Sequence, residues 1–220
     1  MAKYQKVSVS IIDALAVAVH IYRKQGNKVT KFDYDTNLPG NKELIYDYFA
    51  AGTGNIHQDP KLIETALAIR SAIGQRITVN ILTGVKNNDF LVTVNALLER
   101  DTITSKDFGL LAWAPKLSDD MSKADTLKEA MISAGADSKH IGTIGKKIAI
   151  TFNEITTRYL PMYNSYVHSG KDDEGNLVGF WNKNQIPNGS KITAKVKGHA
   201  KNPRIGDALV TNLNYVKVAK

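Results

Sequence analysis

Cysteine is absent from the 220 residues of the sequence. The chain therefore has no disulfide, no thiolate metal site and no cysteine nucleophile, a composition that suits a reducing compartment. Histidine is scarce too, with five in the chain. They stand far apart in sequence, and none has the spacing to a second ligand that zinc sites on helices use. We therefore expect neither a metal site nor a cofactor.

Long hydrophobic runs are also missing, since no stretch reaches the roughly 18 apolar residues that suggest a membrane span. The most apolar segment, residues 8–22, carries Asp13 near its centre and places Ile11, Leu15 and Val19 at helical spacing. This pattern predicts a buried amphipathic helix over residues 8–25. We expect no membrane association.

No catalytic motif is present. GTGN at 52–55 and GTIG at 142–145 are rich in glycine, but neither continues into the Gly-Lys-Ser/Thr of a phosphate-binding loop. There is no G-x-S-x-G turn to position a nucleophilic serine. Asp172, Asp173 and Glu174 stand together before Gly-Asn, which favours a solvated hairpin turn over a metal site. We therefore expect that the protein is not an enzyme.

Acidic residues are few in the last third of the chain. The net charge is +8. Residues 1–144 contain 17 Lys and Arg against 16 Asp and Glu, whereas residues 145–220 contain 12 against 5. Nearly the whole positive excess therefore lies after residue 144, which favours an anionic partner, and nucleic acid first among them.

The hydrophobic pattern changes in the same place. Up to about residue 140 apolar residues recur at helical spacing, with a clear helix start at Asp59-Pro60. Beyond the glycines of 135–147 the period becomes two, which predicts strands near 147–157, 163–168, 177–181, 190–197 and 208–218. We predict an α+β protein with a helical region at 1–141 and a five-stranded, OB-like β-barrel domain at 142–220, because barrel closure removes exposed sheet edges.

The fourth predicted strand shows why this domain is basic. Lys191, Lys195 and Lys197 share one face by alternation, while the intervening residues are apolar. Phe152 and Phe180 are the best candidates for the barrel core. A cationic outer face with nearby aromatic rings is typical of single-strand binding by charge and base stacking. The candidate nucleic-acid-binding residues are Arg158, Tyr159, Tyr163, Tyr166, Trp181, Lys183, Lys191, Lys195, Lys197, His199, Lys201, Arg204, Tyr215 and Lys217.

Four short motifs in this third of the chain carry a resemblance. They are DDEGN at 172–176, VGFW at 178–181, VKGHA at 196–200 and TNLNYVKV at 211–218. In this order they resemble an OB-fold module of phage-encoded proteins, similar to phage single-stranded DNA-binding and replication-associated proteins. The resemblance implies nucleic-acid binding in the cytoplasm of a host cell and identifies no catalytic residue.

Together these observations predict a protein that binds single-stranded nucleic acid, DNA above all, in phage replication or recombination. The helical region would serve self-association or contact with another replication protein. The alternative is a structural or adaptor protein whose barrel docks a protein partner and whose charge only aids solubility.

Overall fold

The structure, a computed structural model, describes residues 7–26, 38–52 and 54–219, without the side chain of Arg204. Contacts divide the chain into two compact units, Met1–Ser122 and Lys123–Lys220. The sequence pattern predicted the domain boundary later, between residues 141 and 142. The division by contacts instead falls within the helix Ala114–Gly135. The strand or loop expected between the first two helices lies outside the described residues.

The first unit is mainly helical, as expected. Its elements are β1 (Ser8–Ser10), α1 (Ile11–Gln25), α2 (Asn41–Ala51), α3 (Pro60–Leu82), α4 (Asp89–Leu98), β2 (Thr102–Thr104), α5 (Phe108–Leu111) and the beginning of α6 (Ala114–Gly135). Its hydrophobic core surrounds α1, whose residues from Ala14 to Val19 are all buried. The helix start predicted at Asp59 is confirmed, since its carboxylate accepts from the Lys61 amide at 2.9 Å.

The first predicted helix was three residues too long. Ser8–Ser10 form a strand that pairs with Thr102–Thr104, so β1 and β2 make a small antiparallel ladder. The side chain of Ser10 accepts from the Asp13 amide at 3.5 Å, and the helix begins at Ile11. Helical periodicity did not reveal this start, because the strand partner lies about ninety residues away in sequence.

The second unit contains five strands, and the predicted order of helices followed by strands is confirmed. The strands are β3 (Lys147–Leu160), β4 (Ser165–Lys171), β5 (Leu177–Asn182), β6 (Ser190–Asn202) and β7 (Ala208–Val218). They pair in the closed order β3-β4-β5-β7-β6, and β6 returns to β3. Only the β5–β7 pairing is parallel.

The barrel core confirms both predicted core residues. Phe152 and Phe180 are buried with ring centroids 4.9 Å apart, among aliphatic residues of β6 and β7. Gly170 lies directly against this pair, because a Cβ atom at that position would stand 2.4 Å from the Phe152 ring. The missing side chain at Gly170 of β4 therefore leaves room for the Phe152 ring.

One end of the barrel, which we name the closed end, is covered by chain that precedes the strands. Met131 and Ala134 of α6 pack on a cluster of Leu177, Ile205 and Ala208. The Ser138 hydroxyl donates to the Leu209 carbonyl at 2.6 Å and accepts from the Leu177 amide at 2.8 Å. These contacts fasten the entering chain across β5 and β7.

The acidic turn between β4 and β5 lies at the same end and is less solvated than predicted. Asp172 is buried, and its carboxylate accepts from the amides of Glu174 at 3.0 Å and Asn176 at 2.8 Å. Asp172 therefore organises the turn, while Asp173 and Glu174 are exposed. Within the described ranges, none of the helices has the length and apolar character that crossing a membrane requires.

Candidate nucleic-acid interface

Four of the predicted aromatic residues come together at the barrel end opposite the closed end. We name the group formed by Tyr159, Tyr163, Tyr166 and Trp181 the aromatic end. The rings of Tyr159 and Tyr166 are 4.9 Å apart, and those of Tyr163 and Trp181 are 5.4 Å apart. Tyr163 is 61% exposed and Trp181 is 54% exposed, so large ring faces remain open to a ligand.

Local sequence explains the positions of Tyr159, Tyr163 and Trp181, whereas Tyr166 is partly buried and shares a face of β4 with the buried His168. Pro161 begins a single 3-10 turn after β3, and Asn164 ends it in the left-handed conformation at φ 42°. Asn164 tolerates that conformation, and its side-chain oxygen accepts from the Tyr159 hydroxyl at 2.8 Å. Trp181 follows the buried Phe180 on β5, so strand alternation turns it outward.

A buried histidine, His168, packs next to one ring of the aromatic end. His168 stacks on Phe180 at 4.8 Å, and its ring lies 6.1 Å from that of Tyr166. A carbonyl can only accept, so Nε2 donates to the Asn184 carbonyl at 3.4 Å and Nδ1 accepts from the Thr157 hydroxyl at 2.9 Å. Burial lowers the pKa of His168 below its ordinary value, although the Asn184 carbonyl and Glu154 act in the opposite direction. The ring is therefore neutral at neutral pH.

A second group of predicted residues lies on the outer face of β3, β6 and β7. The predicted alternation on β6 is confirmed, since Lys191, Lys195 and Lys197 are exposed and the apolar residues between them are buried. Lys147 of β3 stands directly opposite Lys195, and Lys217 of β7 stands opposite Thr193. We name this surface the lysine wall: Lys147, Lys191, Lys195, Lys197 and Lys217.

The lysine wall has no acidic counterpart. The strand segments that form it, 147–151, 190–199 and 212–218, contain neither Asp nor Glu. Among the residues that the structure describes, none of the wall lysines is within salt-bridge distance of a carboxylate. Like charges directly opposite each other on a sheet are destabilising. The arrangement therefore costs stability, which a bound anion would offset.

Tyr215 stands beside this wall in an unusual conformation. It is 77% exposed, and its φ of 53° places a bulky residue in the left-handed region. The cause is a β-bulge, because Thr193 pairs with Lys217 while Lys195 pairs with Asn214, which leaves one extra residue on β7. The bulge leaves the ring exposed at a position between Asn214, which pairs with Lys195, and Lys217.

The remaining candidates are more dispersed. Arg158 and Lys183 are exposed next to the aromatic end, one at the end of β3 and the other just after β5. Lys201 is exposed at the far end of β6, and the side chain of Arg204 lies outside the described residues.

His199 lies on β6 between Lys197 and Lys201, but its ring contacts the chain that precedes β3. Its ring stacks on His140 at 4.4 Å, and its Nε2 atom donates to the Ile141 carbonyl at 3.3 Å. His140 in turn donates to the Ala200 carbonyl at 3.1 Å. This reciprocal pair fastens the chain before β3 onto β6, so the structure gives His199 a structural contact.

Lys147 was missing from the sequence-based candidates. Because Ile148, Ile150 and Phe152 alternate inward, the same periodicity would have placed Lys147 outward. Its position opposite Lys195 depends on the β3–β6 register, which periodicity within one strand does not determine.

Comparison with known proteins adds no relative, since no family model, no curated protein and no solved structure matches the chain. The described residues contain no group of three or more His, Asp or Glu side chains placed to hold a metal ion.

Proposed function

We propose that the C-terminal barrel has an OB fold and binds single-stranded nucleic acid, DNA above all, with the bases on the aromatic end. OB folds bind oligonucleotides on the face of their second and third strands and on adjacent loops. The corresponding strands here are β4 and β5, and the corresponding first loop is the turn at Pro161–Tyr163. The four rings of the aromatic end occupy this region.

The single observation that carries the proposal is this gathering of four rings, of which Tyr159, Tyr163 and Trp181 are exposed. Base–aromatic stacking contributes about 1–3 kcal/mol per base and tolerates any sequence, since every base has a π-face. A duplex keeps its bases stacked inside, so open rings of this kind favour a single strand. Arg158 and Lys183 flank the rings and can contact phosphates on either side.

The biological setting belongs to the same proposal. The resemblance of the C-terminal motifs to phage single-stranded DNA-binding modules favours a role in phage DNA replication or recombination. The helical unit would then provide self-association or a contact with another replication protein. Exposed Ile81 and Leu82 at the end of α3 are suited to such a contact.

The test is a titration of labelled oligonucleotides, single- and double-stranded, at several salt concentrations. We expect single strands to bind more tightly than duplexes of the same length. The logarithm of the binding constant should fall linearly with the logarithm of the salt concentration. Replacement of Trp181 by alanine should lower the affinity and keep the salt dependence, because it removes a ring and no charge. Equal binding of single strand and duplex would contradict the proposal.

An adaptor function is the second candidate, and the exposure of the aromatic end supports it as well. Met162 is 87% exposed beside Tyr163 and Trp181, and aromatic and Met side chains are also enriched in protein–protein interfaces. Absence of oligonucleotide binding at low salt would favour this candidate over the first.

A further inference from the structure

The geometry points to a binding path that continues from the aromatic end onto the lysine wall, with Tyr215 as the stacking residue at the junction. We infer that the wall holds the phosphodiester backbone of the strand whose bases stack on the aromatic end. The inference rests on the proposed function, and the experiment below separates the failure of one from the failure of the other.

The pairing of β3 shows that the two surfaces are distinct. Residues 147–152 of β3 pair with β6, whereas residues 153–160 pair with β4. The lysine wall therefore includes the first residue of β3, whereas the aromatic end includes residues near the last residue of β3. A strand rises about 3.3 Å per residue, so a ligand that touches both surfaces must extend along or around the barrel.

The end of β5 joins the two surfaces. The parallel β5–β7 pairing reaches Phe180 opposite Leu213, and the Asn182 side chain then donates to the Val216 carbonyl at 3.2 Å. Trp181 precedes Asn182, and Tyr215 precedes Val216. Trp181 and Tyr215 thus lie on adjacent strands next to this hydrogen bond. Tyr215 also lies between Asn214, which pairs with Lys195, and Lys217.

The backbone of Tyr215 supports a role in binding. A bulky side chain at positive φ is an outlier that costs stability, and glycine or asparagine would occupy this bulge with less strain. Packing of the ring does not offset this cost, because most of the surface of Tyr215 is exposed. Strain of this kind clusters at ligand-binding sites, and the neighbouring lysines supply the charge that phosphates require.

The experiment compares three variants on two ligands of equal length, dT16 and an oligomer of abasic deoxyribose phosphates. Tyr215→Gly removes the ring and relieves the strain. The triple variant Lys191→Gln, Lys195→Gln, Lys217→Gln removes charge from the wall. The matched control, Lys86→Gln, Lys106→Gln, Lys171→Gln, removes the same charge from exposed positions outside it.

We expect Tyr215→Gly to weaken dT16 binding by about 5- to 100-fold and to leave binding of the abasic oligomer unchanged. The wall variant should weaken both ligands and flatten the salt slope by about 2, because each lost single-strand phosphate contact contributes about 0.7. The control triple should change the slope less. The melting temperature of Tyr215→Gly should not fall, which separates a stacking role from a structural one.

Two outcomes would overturn the inference. If Trp181→Ala weakens dT16 binding but Tyr215→Gly and the wall variant do not, the strand does not reach the wall, and the proposed function still stands. If the wall and control variants flatten the salt slope equally, the wall is only part of a general positive charge. Absence of dT16 binding by the unaltered protein would instead overturn the proposed function itself.

Discussion

The two ends of the barrel differ in how much of their apolar surface is buried. At the closed end Leu177 and Ala208 are buried beneath the last turns of α6, and Ser138 ties the chain down with two hydrogen bonds. At the aromatic end Tyr163 and Trp181 contact each other and leave more than half of each residue exposed.

The two ends therefore differ in what they contribute to stability and, under the proposed function, to binding. Burial of apolar surface stabilises the fold by about 25 cal/mol per Å², so the closed end contributes to folding. At the aromatic end apolar surface stays exposed in the free protein, and its burial would stabilise the complex with the proposed ligand. Substitutions at the two ends should therefore separate effects on stability from effects on binding.

The largest expected effect lies between the ends, at Phe152. Phe152→Ala should lower the free energy of unfolding of the barrel by about 3–5 kcal/mol, because it leaves a cavity beside Phe180 and His168. Urea denaturation followed by circular dichroism measures this. The control Tyr163→Ala, at an exposed ring, should change stability by no more than about 0.5 kcal/mol. Equal losses in the two variants would contradict the assigned core.

The closed end should be sensitive to added volume. A Cβ atom on Gly135 would stand 2.6 Å from Ala208 Cβ and 3.0 Å from Leu177 Cδ1, so Gly135→Val should destabilise the barrel by about 1–3 kcal/mol. Gly198→Ala is the control, since that position has open space. Thermal unfolding measures both. A Gly135→Val variant as stable as the parent would mean that α6 does not pack there.

The aromatic end should respond in the opposite way. Trp181→Ala should weaken single-strand binding by about 1–3 kcal/mol through the lost stack, while stability changes by about 0.5 kcal/mol or less. Fluorescence anisotropy and thermal unfolding of the same samples give both values. Val92→Ala, which removes an exposed apolar side chain from α4, should preserve affinity. A large fall in melting temperature for Trp181→Ala would assign that ring to folding.

The smallest expected effect is a pH dependence beneath the aromatic end. Because burial lowers the pKa of His168 in the folded state, the unfolded state takes up the proton first as pH falls. Barrel stability should therefore be complete above the unfolded pKa of about 6.5 and decrease as pH falls below it.

NMR titration of the His168 ring signals should give a midpoint below 6.5, and His168→Gln should flatten the stability profile of the barrel. His57→Gln, in the helical unit, should leave that profile unchanged. A His168 midpoint at or above 6.5 would contradict the buried, neutral ring.

Much of the barrel could be predicted from alternation alone. The inward positions of Phe152 and Phe180 and the outward lysines of β6 follow from a period of two along single strands. The buried Asp172 and the His140–His199 stack could not be predicted in this way, because each depends on partners brought close by turns and register. The bulge at Tyr215 was equally hidden, since no glycine or asparagine marks its positive φ.

The sequence by itself determined the order of helices and strands, the concentration of positive charge after residue 144, and the face of β6 that carries lysines, since all three depend on composition and local periodicity. Only the tertiary structure decided which rings meet, which lysines oppose each other, and which end of the barrel is covered. Those relations join residues far apart in the chain, and strand register and closure, rather than local preference, bring such residues together.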